Sequence, residues 1–187
     1  LTAAPTAAAA EFVLQPPESR VPDDVAILTT VRTAFARCGR PEHFADPAHY
    51  LECADHDALL QSRDVGTLAI EDVGNPCWDP VCYIGPAGLG YFFPALARLA
   101  LADTTTGHGW YAGQLLFHLT CGGAENRHLR GFGPDQRRVV AAFLLHLLET
   151  RTRLGDDGAQ HLMFGRALQT GALAGAGSLV RMELRSA

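Results

Sequence analysis

The stretch 75–103, NPCWDPVCYIGPAGLGYFFPALARLALAD, gathers aromatic, proline, glycine and cysteine residues as no other part of the chain does, and the rest has to be arranged around it. Its first part reads as a proline-punctuated loop and turns helical near Pro86. Pro94 then falls inside an apolar run, where a missing N–H and a ring clash with the preceding turn predict a kinked or restarted helix over 86–102. The segment is expected at the centre of the core, with Trp78, Tyr83, Tyr91, Phe92 and Phe93 lining it.

Helical spacing recurs on both sides. Asp23 and Asp24 open a helix over 23–38, in which Val25, Leu28, Val31 and Phe35 recur at helical intervals and Gly39 stands where a helix would end. Asp46 and Pro47 read as a cap and first helical residue, leading through Tyr50, Leu51 and Cys53 to Arg63, with Asp55 a point of interruption. The run 67–73 lies between strand and helix, and helix is the preferred reading. Helices are expected over 110–120, with Trp110, Leu115, Leu116 and Leu119 inward, and over 134–154, opened by Pro134 and closed by Gly155. The latter carries a broad stripe of Val139, Val140, Phe143, Leu144, Leu147 and Leu148. A last helix is expected over 157–169, and the stretches 103–109 and 121–133 read as loops. The fold class is therefore mainly α: a single-domain, irregular bundle of about six helices with a Pro-kinked central helix. Residues 1–22 read as an Ala/Pro-rich tail and linker, 23–170 as the domain, and 171–187 as a Gly/Ala-rich tail.

Composition excludes several mechanisms. All fifteen Lys-plus-Arg positions are Arg. A chain without lysine cannot build a phosphate loop with its Lys, a kinase strand Lys or a Schiff base. The few serines, Ser19, Ser62, Ser178 and Ser186, do not form G-x-S-x-G, so a nucleophile elbow is absent as well. Residues 1–75 carry twelve acids against five Arg, and 76–187 eight acids against ten Arg. That balance does not predict a nucleic-acid surface. Arg98 and Asp103 interrupt the best apolar run before it reaches the roughly 18 to 20 residues of a membrane span. Five scattered cysteines predict free thiols in a cytoplasmic protein rather than a disulfide framework.

The run Tyr91-Phe92-Phe93-Pro94-Ala95-Leu96, followed by Gln136, Val140, Phe143, Leu144 and Leu147, resembles an uncharacterised bacterial family. Its members pair an aromatic-aromatic-x-Pro-Ala helix with a later Q-x-x-x-V-x-x-F-L helix. The resemblance spans 65–150 and implies a small helical fold with no assigned activity.

Candidate chemistry falls in three places. His49, Cys53 and His56 stand at i, i+4 and i+7, one face of an unbroken helix, and their imidazole and thiolate groups suit zinc or a similar ion. Cys77 and Cys82 bracket Trp78-Asp79-Pro80 in a loop; two thiols fall short of a zinc site, although His108, His118, Cys121 and His128 lie downstream. Buried loop cysteines are the plainer reading. Arg127, Arg130, Arg137 and Arg138 surround the start of the 134–154 helix, where cations oppose the helix dipole. Either Asp135, Glu125 and other acids compensate them, or they hold a small anion or a partner's carboxylate. The Gly85, Gly88 and Gly90 spacing does not match a dinucleotide loop and reads as close packing. His146, beside Phe143 and Leu147, reads as a satisfied core histidine.

With no complete catalytic set, no cofactor is expected. The preferred function is action through protein contacts, as a regulator, adaptor or immunity-type partner. The alternative is a metal-dependent enzyme using a His/Cys cluster: either His49, Cys53 and His56, or Cys77 and Cys82 with a downstream His.

Overall fold

Among the described residues of the computed structural model six α-helices follow one another: α1 (Asp24–Phe35), α2 (Leu51–Gln61), α3 (Ile70–Val73), α4 (Pro86–Leu101), α5 (Tyr111–Thr120) and α6 (Pro134–Arg151). The structure describes residues 23–102, 105–106, 109–122 and 125–151. The helix expected over 157–169, the closing Gly155 and both tails lie outside them. Among the described residues no helix is long and apolar enough to cross a membrane.

The Asp23 carboxylate accepts the Ala26 N–H at 2.7 Å and caps α1. The buried stripe of that helix is Ile27, Val31 and Phe35. Val25, expected inward, is 72% exposed, because the i, i+4, i+8 row that meets α4 and α6 starts two residues later. The Asp46-Pro47 pair does not start a helix: the Asp46 side chain accepts the Ala48 N–H at 3.0 Å in a tight turn. Helix α2 begins only at Leu51 and runs through Asp55 without interruption. Asp57, buried on α2, accepts the Phe44 and Ala45 N–H groups at 2.6 and 3.1 Å and thereby holds the preceding segment against the helix. The 67–73 stretch yields the single turn α3, anchored by Asp72, which accepts the Ala69 N–H and a two-pronged Arg63 guanidinium at 2.9 Å.

Helix α4 is the central element, and Pro94 sits inside it without dividing it. Eleven of its sixteen residues are buried, so packing outweighs a proline cost of about 3 kcal/mol, and the expected restart does not occur. It packs against α1 and α5, while α1 also packs on α6. Phe93 meets Phe35 with ring centroids 4.7 Å apart and Phe143 at 5.8 Å, joining α4 to α1 and α6. Phe92 meets Phe44 at 4.8 Å. Of the five aromatics expected at the centre, Phe92 and Phe93 are buried, Tyr83 and Tyr91 are half-buried, and Trp78 is 43% exposed. Glycine is needed where a Cβ at Gly131 would stand 2.4 Å from the Pro86 Cβ, and where one at Gly88 would stand 2.8 Å from Ile84.

Two stretches expected as loops hold short regular pieces. Thr105–Thr106 pairs antiparallel with Gly109–Trp110 between α4 and α5, and Gly109 takes a φ of +103° that glycine allows. Leu129–Gly131 forms a 3-10 turn just before α6.

Candidate metal centre

The loop between α3 and α4 is held by its own side chains. Asn75 accepts the Cys77 N–H at 3.0 Å, and Asp79 accepts the Val81 N–H at 2.8 Å, capping a 3-10 helix at Pro80–Cys82. The Asp-Pro signal that fails at 46–47 is realised here. This short helix presents Cys82 on the same side as the carboxylate that caps it.

Helix α5 supplies the opposite wall. Tyr111, Gln114 and His118 stand at i, i+3 and i+7, hence on one face. His118 Nε2 lies 2.6 Å from Asp79 Oδ2, and the Gln114 amide donates both to that oxygen and, at 2.8 Å, to the Val73 carbonyl. Asp79 and His118 are buried and Cys82 is half-buried. One ligand atom from each of the three lies within 4.8 Å of the others, and no other such set occurs among the described residues.

A second layer closes the site. Asn126 donates to the His118 and Cys121 carbonyls at 2.7 and 2.8 Å, and accepts the His128 and Leu129 N–H groups at 2.9 and 3.1 Å. It thereby sets the buried His128 ring edge-on to His118, centroids 6.3 Å apart. Burial, reinforced by the Arg127 and His118 charges, pushes the His128 pKa down to about 4, so this imidazole is neutral near pH 7. Burial also raises the Cys82 thiol, and the Asp79 charge adds to the effect. A thiol held up in this way is a poor nucleophile.

Several buried polar atoms lack a hydrogen-bond partner. Among the described residues these are His56 Nδ1, Trp110 Nε1, Tyr111 Oη, His128 Nδ1 and His146 Nδ1. Three of the five, on His56, Tyr111 and His128, belong to side chains that feel the Asp79 charge.

The structure distributes the expected site residues differently. Because α2 starts at Leu51, His49 falls in the preceding turn, exposed and edge-on to Tyr50 at 4.1 Å, away from any shared face with Cys53 and His56. His56 packs instead between Trp78 and Tyr83, at 4.5 and 5.1 Å. Cys77 and Cys121 are exposed. Arg130 pairs with Glu125, Arg138 pairs with Asp135 at 2.7 Å, and Arg137 donates to the Phe132 carbonyl at 2.8 Å. Arg127 alone of these four has no carboxylate or carbonyl partner among the described residues; its Nε lies 3.5 Å from His128 Nε2.

Sequence reasoning named Cys82 and the downstream His118 but not Asp79 or Gln114. The available signal was polar: Gln114 and His118 are spaced i, i+4 on a helix whose inward face is otherwise apolar. No protein-family model matches the chain, and no curated protein or solved structure matches it.

Proposed function

We propose that this protein is a metal-dependent enzyme that holds zinc, or a similar divalent ion, on Asp79, Cys82 and His118. The observation that supports the reading is the approach of one carboxylate oxygen, one imidazole nitrogen and one thiol sulfur to within 4.8 Å of one another in a largely buried setting. Tetrahedral zinc spaces such ligand atoms by about 3.3 to 3.6 Å, so a small adjustment of this trio accommodates the ion. The mixed N, O and S donors suit zinc, and three protein ligands leave a fourth position for water or substrate, the pattern of catalytic rather than structural sites. In the metal-free protein the His118–Asp79 hydrogen bond at 2.6 Å holds two of the donors together. Metal entry displaces that proton and the Cys82 thiol proton, so uptake weakens as pH falls.

Elemental analysis of protein purified without a polyhistidine tag tests the reading. One equivalent of metal per chain is expected after dialysis against zinc, with affinity lowered by about a hundredfold or more in Cys82→Ala. Among the described residues the Cys82 side chain makes no hydrogen bond, so this variant removes a ligand without stranding a buried partner. Wild-type protein that stays metal-free, or a Cys82→Ala variant that binds equally well, would sink the idea.

Action through protein contacts is the second reading. It is supported by Tyr50 and Leu51, 62% and 83% exposed at the start of α2. It predicts an association, seen as a native mass above that of one chain, which Leu51→Asp abolishes.

A further inference from the structure

A cavity of about 280 Å³ opens between α1 and α4, and its lining shares no residue with the Asp79, Cys82 and His118 trio. On the α1 side Arg32, Phe35 and Ala36 stand at i, i+3 and i+4, hence on one face, and Cys38 follows just past the helix end. On the α4 side Tyr91 and Pro94 stand at i and i+3, and Val65 completes the wall. The proline that α4 tolerates in its interior thus lines the cavity with a rigid apolar ring.

Three neighbouring polar groups are already engaged within the protein. The Gln136 amide donates to the Cys38 sulfur at 3.1 Å. The Arg40 guanidinium, 5.7 Å from the Tyr91 ring centroid, donates to the Gln61 and Arg63 carbonyls at 2.5 and 2.6 Å. Asp64, beside Val65, accepts the Gly66 and Thr67 N–H groups at 2.7 and 2.9 Å. Arg32, the charged residue of the lining, meets no carboxylate or other acceptor among the described residues. It stands in the last turn of α1, where the helix dipole favours a cation, so it is stable there without a carboxylate and keeps its N–H groups available.

We propose that this cavity binds a small aromatic monocarboxylate, its ring against Phe35, Tyr91 and Pro94 and its carboxylate on the Arg32 guanidinium. The volume holds about nine non-hydrogen atoms at about 30 Å³ each, the size of a benzoate. Two aromatic rings and a proline ring suit a flat apolar body. One cation without a countercharge suits a single negative charge, and a guanidinium takes a carboxylate with two parallel hydrogen bonds. The site is independent of any ion at Asp79.

Calorimetric titration of the full-length protein with benzoate tests the proposal, after treatment with a chelator so that no response comes from a bound metal. Saturable binding is expected in the wild type. Arg32→Gln is expected to weaken it about fivefold or more, and Ala36→Trp to abolish it by filling the cavity, both with unchanged circular dichroism. Arg37→Gln, which removes an exposed arginine outside the lining, is expected to bind as the wild type does. Benzylamine, with the same ring and the opposite charge, is expected not to bind, and hexanoate to bind more weakly than benzoate. Benzoate that fails to bind, or that binds equally to the wild type and either cavity variant, overturns the site. Benzylamine binding as tightly as benzoate overturns the role of Arg32, and hexanoate binding more tightly overturns the assignment to an aromatic acid.

Discussion

Two histidine–aspartate pairs with a buried imidazole tie distant parts of this chain together, and they are completed in different ways. His146 on α6 meets Asp24 on α1 at 2.7 Å, and Arg151 grips the same carboxylate from both prongs at 2.8 and 2.5 Å, also donating to the Leu101 carbonyl. His118 meets Asp79 at a similar 2.6 Å, but in place of a guanidinium the site has a thiol and an amide. The Asp24 side chain is 41% exposed and is gripped by a guanidinium, whereas Asp79 is 1% exposed and meets no guanidinium among the described residues. A carboxylate completed by arginine is a clasp between helices. The Asp79 carboxylate lies buried instead among an imidazole, an amide and a thiol.

Removing the cation from the clasp should produce the largest change in stability. Arg151→Ala strands Asp24 and His146 and is expected to cost about 2 kcal/mol, read from urea denaturation, with zinc uptake unchanged. If uptake fell with stability, the two regions would not be independent.

Acid titration should then separate them by pH window. In metal-free protein His128 has its pKa lowered from 6.5 to about 4, so between those values the unfolded chain binds the extra proton and stability falls as the pH is lowered through that range. His56, lowered chiefly by burial, adds in the same sense. Asp24 is held below its ordinary 3.8 chiefly by the Arg151 hydrogen bond, so its contribution persists above that value and is lost as the pH falls through its lower folded pKa. His128→Asn should therefore flatten the stability curve between pH 6.5 and 4, leaving the slope due to His56. Asp24→Asn should flatten it only at lower pH. A single window for both variants would erase the distinction.

The smallest effect is expected at His49, an exposed histidine outside both pairs. His49→Ala should change stability by less than about 0.5 kcal/mol and leave metal content as in the wild type, since the residue is exposed outside α2. Loss of metal in that variant would restore the helix-face cluster.

The helices were legible because their apolar periodicity and caps are local. Asp23 capping α1 and Pro134 opening α6 are such features, and the core residues Val31, Phe35, Val140, Phe143 and Leu147 followed from spacing. The same local signals misled where a turn competed with a helix. Asp46-Pro47 and Asp79-Pro80 are identical dipeptides, yet the first closes an Asx turn and the second caps a 3-10 helix. That difference displaced His49 and dissolved the predicted His49, Cys53 and His56 face. The Asp79 cluster was only half visible: Cys82 and His118 stood out as ligand types, while Asp79 passed for a loop residue.

Chain order and residue type alone decided that this protein is helical, lysine-free and without a serine nucleophile elbow, because periodicity and composition act within a few residues of one another. Tertiary structure decided that Pro94 is tolerated in an unbroken α4, since burial of that helix outweighs the local cost of the ring. It also decided which polar residues share a site. Asp79 and His118 are thirty-nine positions apart, and only the packing of the α3–α4 loop against α5 brings their side chains to 2.6 Å.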